Sequence, residues 1–278
     1  MSFDFDFICD CHIHSEYSFD GCEKIDDMCK QAIKLRINVL TVTDHCEVHS
    51  WIKPQEDEFG DFSKSIPQAI ESLKENQLKY AGKLTLLRGI ELGEPVHDLV
   101  AADEILALDD YDFVLASVHN VRGKRDFFWL EYTEESAKEL LHTYFNELLE
   151  IVSWNKFDSL SHLTYPLRYI CGVHNIAIDI TEYLPMIDKI FTNLIKNGKA
   201  LEVNSSGLRQ EIGTTMPDRF LLERYYSLGG RLITIGSDAH KKEDLGKGIN
   251  EVLKMLKSIG FESYCYFKNR KPIAVAIK

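Results

Sequence analysis

Two histidines near the N-terminus, His12 and His14, are spaced so that both could bind one metal ion. They follow residues 3–9, where large apolar and acidic side chains alternate with the two-residue period of a β-strand. On a strand, residues two apart project from the same face, so both imidazoles could reach the same ion. Histidines at this spacing are common by chance, and the prediction therefore depends on further ligands elsewhere in the chain.

Strand-like and helix-like segments alternate along the rest of the chain. Short apolar or β-branched runs, typical of buried strands, recur and each ends beside a polar side chain. Amphipathic stretches between the runs, such as residues 25–37 and 182–198, predict helices. The runs occupy residues 39–43, 84–90, 113–118, 157–161, 200–203 and 231–235. The polar side chains at their ends are Asp44 with His45, Glu91, His119, His162, Asn204, and Asp238 with His240.

Seven strand–helix units in one uninterrupted series predict an α/β barrel. In such a barrel the carboxyl ends of all strands meet at one mouth, which would bring the polar side chains together. An open doubly wound sheet would show the same alternation, but no glycine-rich turn follows the first strand. No linker-like tract divides the series, and we therefore predict a single domain over residues 1–278.

The composition is that of an ordinary globular protein of 278 residues, 45% of them hydrophobic. The formal net charge of −12 argues against a nucleic-acid-binding or anionic-membrane surface. Seven cysteines without Cys-x-x-Cys spacing predict free thiols, and Asp4 and Asp6 interrupt the N-terminal apolar run, which predicts no secretory signal. No apolar run approaches the roughly 18 residues that span a membrane. We expect a soluble, cytoplasmic protein.

Six of the ten histidines stand at or just past predicted strand ends, far more than chance placement would give. Three carboxylates occupy similar positions. Mixed imidazole and carboxylate ligands suit zinc, manganese or iron, and disfavour calcium and copper(I). Nine ligands exceed what one ion binds, so we predict more than one ion, with Glu91 as the natural bridge. The candidate ligands are His12, His14, Asp20, His45, Glu91, His119, His162, Asp238 and His240.

This ordered set resembles the polymerase and histidinol phosphatase (PHP) superfamily over the whole chain. The resemblance implies a distorted, TIM-like (β/α)7 barrel with its metal site at the C-terminal ends of the strands, holding up to three divalent ions. The superfamily often carries a histidine at the position of Asp20. By resemblance, His12, His14, Glu91 and Asp238 bind the first ion, Glu91, His119 and His162 the second, and Asp20, His45 and His240 the third.

Two segments, residues 202–209 and 266–272, are similar to the histidinol-phosphatase branch of this superfamily. Residues 162–168 match less well, because the branch usually has an acidic residue directly after the histidine. The branch implies hydrolysis of L-histidinol phosphate in histidine biosynthesis, by attack of a hydroxide that bridges two metal ions. The alternative is a PHP phosphoesterase that acts on another small phosphomonoester or on a nucleotide.

A phosphate monoester is a dianion, and we expect several residues to bind it. Arg168 and Arg209 follow strand ends and could each hold the phosphate with two hydrogen bonds. Asn204 is expected to bind substrate as well. The leaving alkoxide needs a proton or a metal, and either Asp238 or His240 could arrange this. We therefore expect Asp238, His240 and Arg168 to act in catalysis.

The sequence leaves some roles open. Asp44 is either a carboxylate that orients an imidazole or a cap at its strand end. Glu47 and Glu94 could meet a cationic group of the substrate. The oligomeric state is also open, and a homo-oligomer is one outcome.

Three other classes of protein fit less well. Amidohydrolases also begin with His-x-His, but they usually carry a carboxylated lysine where this chain has Glu91 and His119. Degenerate, metal-binding accessory domains lose ligands, whereas this chain keeps nine. A nuclease would be expected to show a basic stripe, which is absent from this acidic sequence.

Overall fold

The computed structural model describes residues 3–53 and 60–278. Its main feature is a parallel sheet in which seven strands pair in the order β1-β2-β4-β5-β6-β7-β8, while β3 pairs with β4 further along. The strands are β1 (Cys9–Ile13), β2 (Val39–Val42), β3 (His45–Glu47), β4 (Thr85–Gly93), β5 (Phe113–Ser117), β6 (Ser159–Leu160), β7 (Ala200–Asn204) and β8 (Ile233–Gly236).

The two ends of the sheet meet where β1 approaches the segment that follows β8. The backbone N–H of His14 donates to the carbonyl of Ala239 at 2.9 Å, and that of Asp238 donates to the carbonyl of His12 at 2.7 Å. The sheet is therefore a nearly closed parallel barrel, and the predicted distorted (β/α)7 barrel is confirmed.

Helices cover the outside of the barrel. In the described part of the chain they are α1 (Ile25–Leu35), α2 (Val48–Ile52), α3 (Phe62–Lys79), α4 (Leu99–Leu106), α5 (Glu134–Trp154), α6 (Leu184–Asn197), α7 (Arg219–Ser227) and α8 (Ile249–Ile259). Every residue of β1, β2, β5, β7 and β8 is buried, as expected for parallel strands covered on both faces. No helix among the described residues is long and apolar enough to cross a membrane.

Helix ends follow local sequence signals. Thr133 caps α5, its hydroxyl accepting from the backbone N–H of Ser136, as expected for a threonine followed by two acidic residues in the first turn. Gly198 ends α6 with a left-handed φ of 63°, a conformation that costs glycine little.

The first strand begins six residues later than its alternating pattern predicts, at Cys9 instead of Phe3. The preceding residues form an arm along α8, where Asp4 pairs with Lys254 at 2.6 Å and its backbone N–H donates to Asn250 at 3.0 Å. Residues 46–64 are polar, acidic and aromatic, a composition that predicts a long loop, but they contain the end of β3, all of α2 and the start of α3; residues 54–59 lie outside the described part.

A C-terminal hairpin closes the amino end of the barrel, opposite the predicted metal site. It consists of the antiparallel strands β9 (Ser263–Lys268) and β10 (Lys271–Ala276). At its tip, the backbone N–H groups of Asn269 and Arg270 donate to Asp112, and the Arg270 guanidinium pairs with the buried Asp158. Asp112 and Asp158 directly precede β5 and β6, so the hairpin ties these strands together at their starts.

Candidate metal centre

All nine predicted ligands lie at one end of the barrel, where the strands end. His12 lies within β1 and Glu91 within β4, whereas the other ligands stand in the loops that follow strand ends or, for His45, at the start of β3. Because parallel strands point in the same direction, their carboxyl ends share one mouth. Residues as far apart in sequence as His12 and Asp238 therefore become neighbours.

The first group of side chains contains His12, His14, Glu91 and Asp238. The Nε2 atoms of His12 and His14 lie 3.0 Å apart, and His12 Nε2 lies 3.2 Å from Glu91 Oε2. Asp238 Oδ1 lies 3.2 Å from His14 Nε2. All four side chains are buried.

The second group contains Glu91, His119 and His162. The other oxygen of Glu91, Oε1, lies 3.0 Å from His162 Nε2 and 3.3 Å from His119 Nε2, and these two nitrogens are 3.3 Å apart. The carboxylate of Glu91 thus stands between the two groups with one oxygen facing each, which is the bridging position predicted for it.

The third group is more open to solvent. His240 Nε2 lies 3.0 Å from Asp20 Oδ2, and His45 Nε2 lies 3.8 Å from Asp20 Oδ1. Both rings stack on His14, with centroids 4.2 Å from its ring. The Asp20 side chain is 40% exposed, in contrast to the buried carboxylates of the first two groups.

These donors fit divalent cations. Ligand atoms held about 2.0–2.1 Å from one tetrahedral ion are separated by about 3.3 Å, close to the spacings within the first two groups. No lysine or arginine of the described residues forms an ion pair with Glu91 or Asp238, and the basic side chains in contact with these two carboxylates are histidines. His45 Nδ1 and His240 Nε2 lie 3.2 and 3.0 Å from carboxylate oxygens of Glu47 and Asp20, but neither nitrogen has hydrogen-bond geometry with a partner among the described residues.

The electrostatics of the site keep its two buried carboxylates anionic and His14 neutral, whereas neighbouring carboxylates, against the effect of burial, raise the pKa values of His12, His45 and His119. Burial would raise the pKa of Glu91 and of Asp238, but neighbouring imidazoles, above all His12, hold both pKa values well below the usual range. Burial and the neighbouring His240 and His45 lower the pKa of His14 to about 3. Anionic carboxylates and neutral imidazoles are the forms that coordinate divalent ions.

Hydrogen bonds behind the cluster orient several of the imidazoles. Glu202 Oε1 lies 2.7 Å from His12 Nδ1, while its Oε2 accepts the backbone N–H of His162 at 2.8 Å. Ser18 Oγ lies 3.1 Å from His14 Nδ1. Glu202 was not among the predicted site residues, although an acidic residue inside a buried strand, two residues before Asn204 and on the same face, is a signal that could have revealed it.

Two buried aspartates support the site without contacting the imidazoles directly. Asp44 accepts hydrogen bonds from Ser15 and from the Ser18 hydroxyl at 2.8 Å, so it reaches His14 only through Ser18. Asp10 accepts the backbone N–H groups of Ser237 at 2.8 Å and Gly246 at 3.0 Å. Asp10 thereby fixes the backbone next to Asp238, which adopts an uncommon left-handed φ of 53°.

A cavity of about 330 Å³ opens beside the three groups. The Arg168 guanidinium lies over the rings of Tyr165 and Tyr169, at 5.5 and 5.2 Å from their centroids. It makes no hydrogen bond or ion pair with the described residues, so its donors are available to a ligand. The lining residues are Phe19, Asp20, His45, Glu47, Glu91, His119, Asp126, Phe128, Trp129, His162, Tyr165, Arg168, Tyr169, Asp238 and His240.

The other two residues predicted to bind substrate do not line this cavity. Arg209 donates from Nη2 to the carbonyl of Ser237 at 2.8 Å, and Asn204 donates from Nδ2 to Asp238 Oδ2 at 3.2 Å. Both therefore hold the segment that carries Asp238. Glu47 does reach the cavity, whereas Glu94 accepts the backbone N–H groups of His119 and Asn120.

A nearly closed parallel barrel with clustered imidazoles and carboxylates at its carboxyl end defines a metal-binding α/β barrel protein. Residues 10–206 match the family model described as PHP domain. The chain therefore belongs to the PHP family.

Named relatives agree with this membership, and a solved structure shares the fold. The chain is 33% identical to a protein of Thermotoga maritima named probable histidinol-phosphatase, over 97% of this chain and 99% of the relative. It is 25% identical to a histidinol-phosphatase of Lactococcus lactis, over 94% and 95% of the two chains. The crystal structure of histidinol phosphate phosphatase from L. lactis, complexed with zinc, L-histidinol and phosphate, superposes with a TM-score of 0.79 at 23% identity, covering 96% of this chain and 98% of that one.

Proposed function

We propose that this chain is a metal-dependent histidinol-phosphatase, which hydrolyses L-histidinol phosphate to L-histidinol and inorganic phosphate. The observation that carries the proposal is a cluster of mostly buried imidazole and carboxylate groups beside the cavity that Arg168 also lines, where its guanidinium forms no ion pair with the described residues. The near full-length similarity to the T. maritima protein supports the choice of substrate.

The proposed cofactors are up to three divalent ions, with zinc, manganese and iron as candidates. The ligand groups would be His12, His14, Glu91 and Asp238, then Glu91, His119 and His162, then Asp20, His45 and His240. When bound, divalent ions would lower the pKa of water towards 7 and neutralise the charge of the phosphoryl oxygens. The zinc in the L. lactis structure supports this class of cofactor.

We propose roles for four side chains of the cavity in binding the substrate and assisting the leaving group. Arg168, which lies over two tyrosine rings, would bind the phosphoryl oxygens with two parallel hydrogen bonds. Asp126 is a cavity carboxylate outside the three groups, and it suits a cationic amine or imidazolium. Asp238 and His240 border the cavity and are the residues that we propose to assist the leaving alkoxide. The cavity volume of about 330 Å³ fits a small phosphomonoester.

The site of action is also a proposal. All seven cysteines are free thiols in the structure, which is typical of proteins in a reducing cytoplasm. We expect the enzyme to act there on a soluble metabolite.

The test is phosphate release by the purified protein after loading with zinc, manganese or iron separately. L-Histidinol phosphate would be compared with glycerol phosphate, a nucleoside monophosphate and p-nitrophenyl phosphate. We expect kcat/KM to be at least about 100-fold higher for L-histidinol phosphate, and we expect His14→Ala to lose both metal and activity. A metal-replete protein that prefers another ester, or that hydrolyses none of them, would overturn the assignment.

A further inference from the structure

Glu47 lies on β3 at the edge of the metal centre, and it belongs to none of the three ligand groups. Its side chain is only 5% exposed, and its Oε1 lies 3.1 Å from His119 Nδ1 and 3.2 Å from His45 Nδ1. The residue beside it on β4 is Gly93, where a Cβ atom would lie 3.0 Å from Glu47 Cγ. The absence of a side chain at Gly93 gives the Glu47 carboxylate its room.

The two nitrogens of His119 face different partners. Nε2 points to the second ligand group, at 3.3 Å from both Glu91 Oε1 and His162 Nε2, whereas Nδ1 points to Glu47. A neutral imidazole carries one N–H, and a carboxylate can only accept it. With the proton at Nδ1 donated to Glu47, the lone pair of Nε2 is directed at the second group.

We propose that Glu47 is a positioning residue that fixes the tautomer of His119 and couples the second ligand group to the third. The coupling arises because the same oxygen, Oε1, also contacts His45, a member of the third group. A hydrogen-bonded carboxylate both orients a ligating imidazole and raises its basicity. This inference rests on the proposed metal centre but not on the proposed substrate.

Direct coordination by Glu47 is the competing role, because His45, Glu47 and His119 are close enough to surround an ion. The ion would then have to take His119 at Nδ1. The Nε2 atom of the same ring already faces Glu91 and His162, and a ring that binds an ion at Nε2 keeps its proton at Nδ1. The arrangement of both ring nitrogens therefore favours positioning over coordination.

The experiment is titration of the metal-free protein with zinc and with manganese by calorimetry, together with elemental analysis. Glu47→Ala removes the acceptor, while Glu47→Gln keeps an oxygen that can accept from His119. The matched control is Glu147→Gln, because Glu147 Oε2 lies 2.8 Å from His97 Nε2 in a similarly buried pair outside the cavity. We expect Glu47→Ala to weaken binding about 10–100-fold at two classes of site, Glu47→Gln to weaken it less, and the control to change it by less than about twofold.

A second readout separates positioning from a general structural effect. In the zinc-loaded wild-type protein, ¹⁵N-edited NMR of the histidine rings should show a hydrogen-bonded proton on Nδ1 of His119, which should shift in Glu47→Gln and be lost or exchange-broadened in Glu47→Ala. An unchanged His119 signal, unchanged metal affinities, or a loss confined to one class of site would overturn the proposal. If Glu47→Ala does not fold, Glu47→Gln carries both measurements. Because neither uses substrate, failure to hydrolyse L-histidinol phosphate would refute only the proposed function.

Discussion

Glu202 and His12 are joined by a buried contact of 2.7 Å between a carboxylate oxygen and Nδ1 of the imidazole. The other oxygen of Glu202 accepts the backbone N–H of His162. One carboxylate on β7 therefore holds a side chain on β1 and the backbone that follows β6. It links the first and second ligand groups from behind, while Glu91 links them from within the cavity.

Gly236 is the residue that leaves space for this pair. A Cβ atom at position 236 would lie 2.3 Å from His12 Cβ and 2.4 Å from Glu202 Oε1, so Gly236→Ala must displace both side chains or shift the backbone of β8. We expect a loss of about 1–3 kcal/mol in the free energy of unfolding and a loss of about 10-fold or more in metal affinity. Urea denaturation and metal titration measure the two effects.

The control for this substitution is Gly213→Ala, where the backbone φ is +64° and nothing lies within 4 Å of the added Cβ. It should lose about 1 kcal/mol through backbone strain alone and keep its metal affinity. Equal metal affinities in both variants would show that the contact between Glu202 and His12 does not organise the site.

Arg168 should contribute to substrate binding and to transition-state stabilisation without contributing to metal binding. Arg168→Ala removes the guanidinium that faces the cavity, and we expect kcat/KM to fall about 10²–10³-fold while the metal content stays unchanged. Arg168→Lys should recover only part of the activity, because lysine cannot form two parallel hydrogen bonds. Steady-state kinetics measure kcat/KM, and elemental analysis measures the metal content. The control is Arg219→Ala, because Arg219 is an exposed arginine on α7. Metal loss in Arg168→Ala would contradict the assignment.

Metal binding should weaken as the pH falls. Burial opposes protonation of His12, but the carboxylates of Glu202 and Glu91 outweigh it and raise the pKa of His12 well above its usual value in the metal-free chain. His12 then carries a proton at neutral pH, and an ion must displace it. The affinity should therefore rise with pH until the folded-state pKa is passed, by roughly tenfold per pH unit for each proton released.

This proton release can be measured directly. Calorimetric titrations in buffers with different ionisation enthalpies should give different apparent enthalpies, from which the number of protons follows. A binding enthalpy that is independent of the buffer, or an affinity that is constant between pH 6 and 8, would show that His12 is neutral before the ion binds.

The C-terminal hairpin should matter for stability but not for the chemistry. Arg270→Ala leaves the carboxylate of Asp158, 4% exposed, without its charged partner at the closed end of the barrel. Because Arg270 itself is partly exposed, we expect a loss of about 1–3 kcal/mol in the free energy of unfolding, with kcat unchanged. The neighbouring Lys271→Ala is the control, since Lys271 is exposed and should change stability by less than about 0.5 kcal/mol. A loss of activity without a loss of stability would contradict this separation.

The sequence by itself determined the order of elements and the identity of the candidate ligands. Buried strands such as Val39–Val42 and capped helices such as the one after Thr133 are specified by side-chain periodicity and local hydrogen bonding, both of which can be read over a few residues. The polar residues at strand ends predicted the cluster because parallel strands of a barrel share one mouth.

The tertiary structure decided what lies behind and beside those ligands. Glu202 and His12 are separated by 190 residues, and no local pattern reports such a contact. Local sequence also does not distinguish Arg168 from Arg209, since both arginines follow strand ends. Arg168 faces the cavity, whereas Arg209 binds the backbone carbonyl of Ser237. Hydrogen bonds and cavity walls depend on which distant segments pack together, and that packing is settled only when the barrel closes.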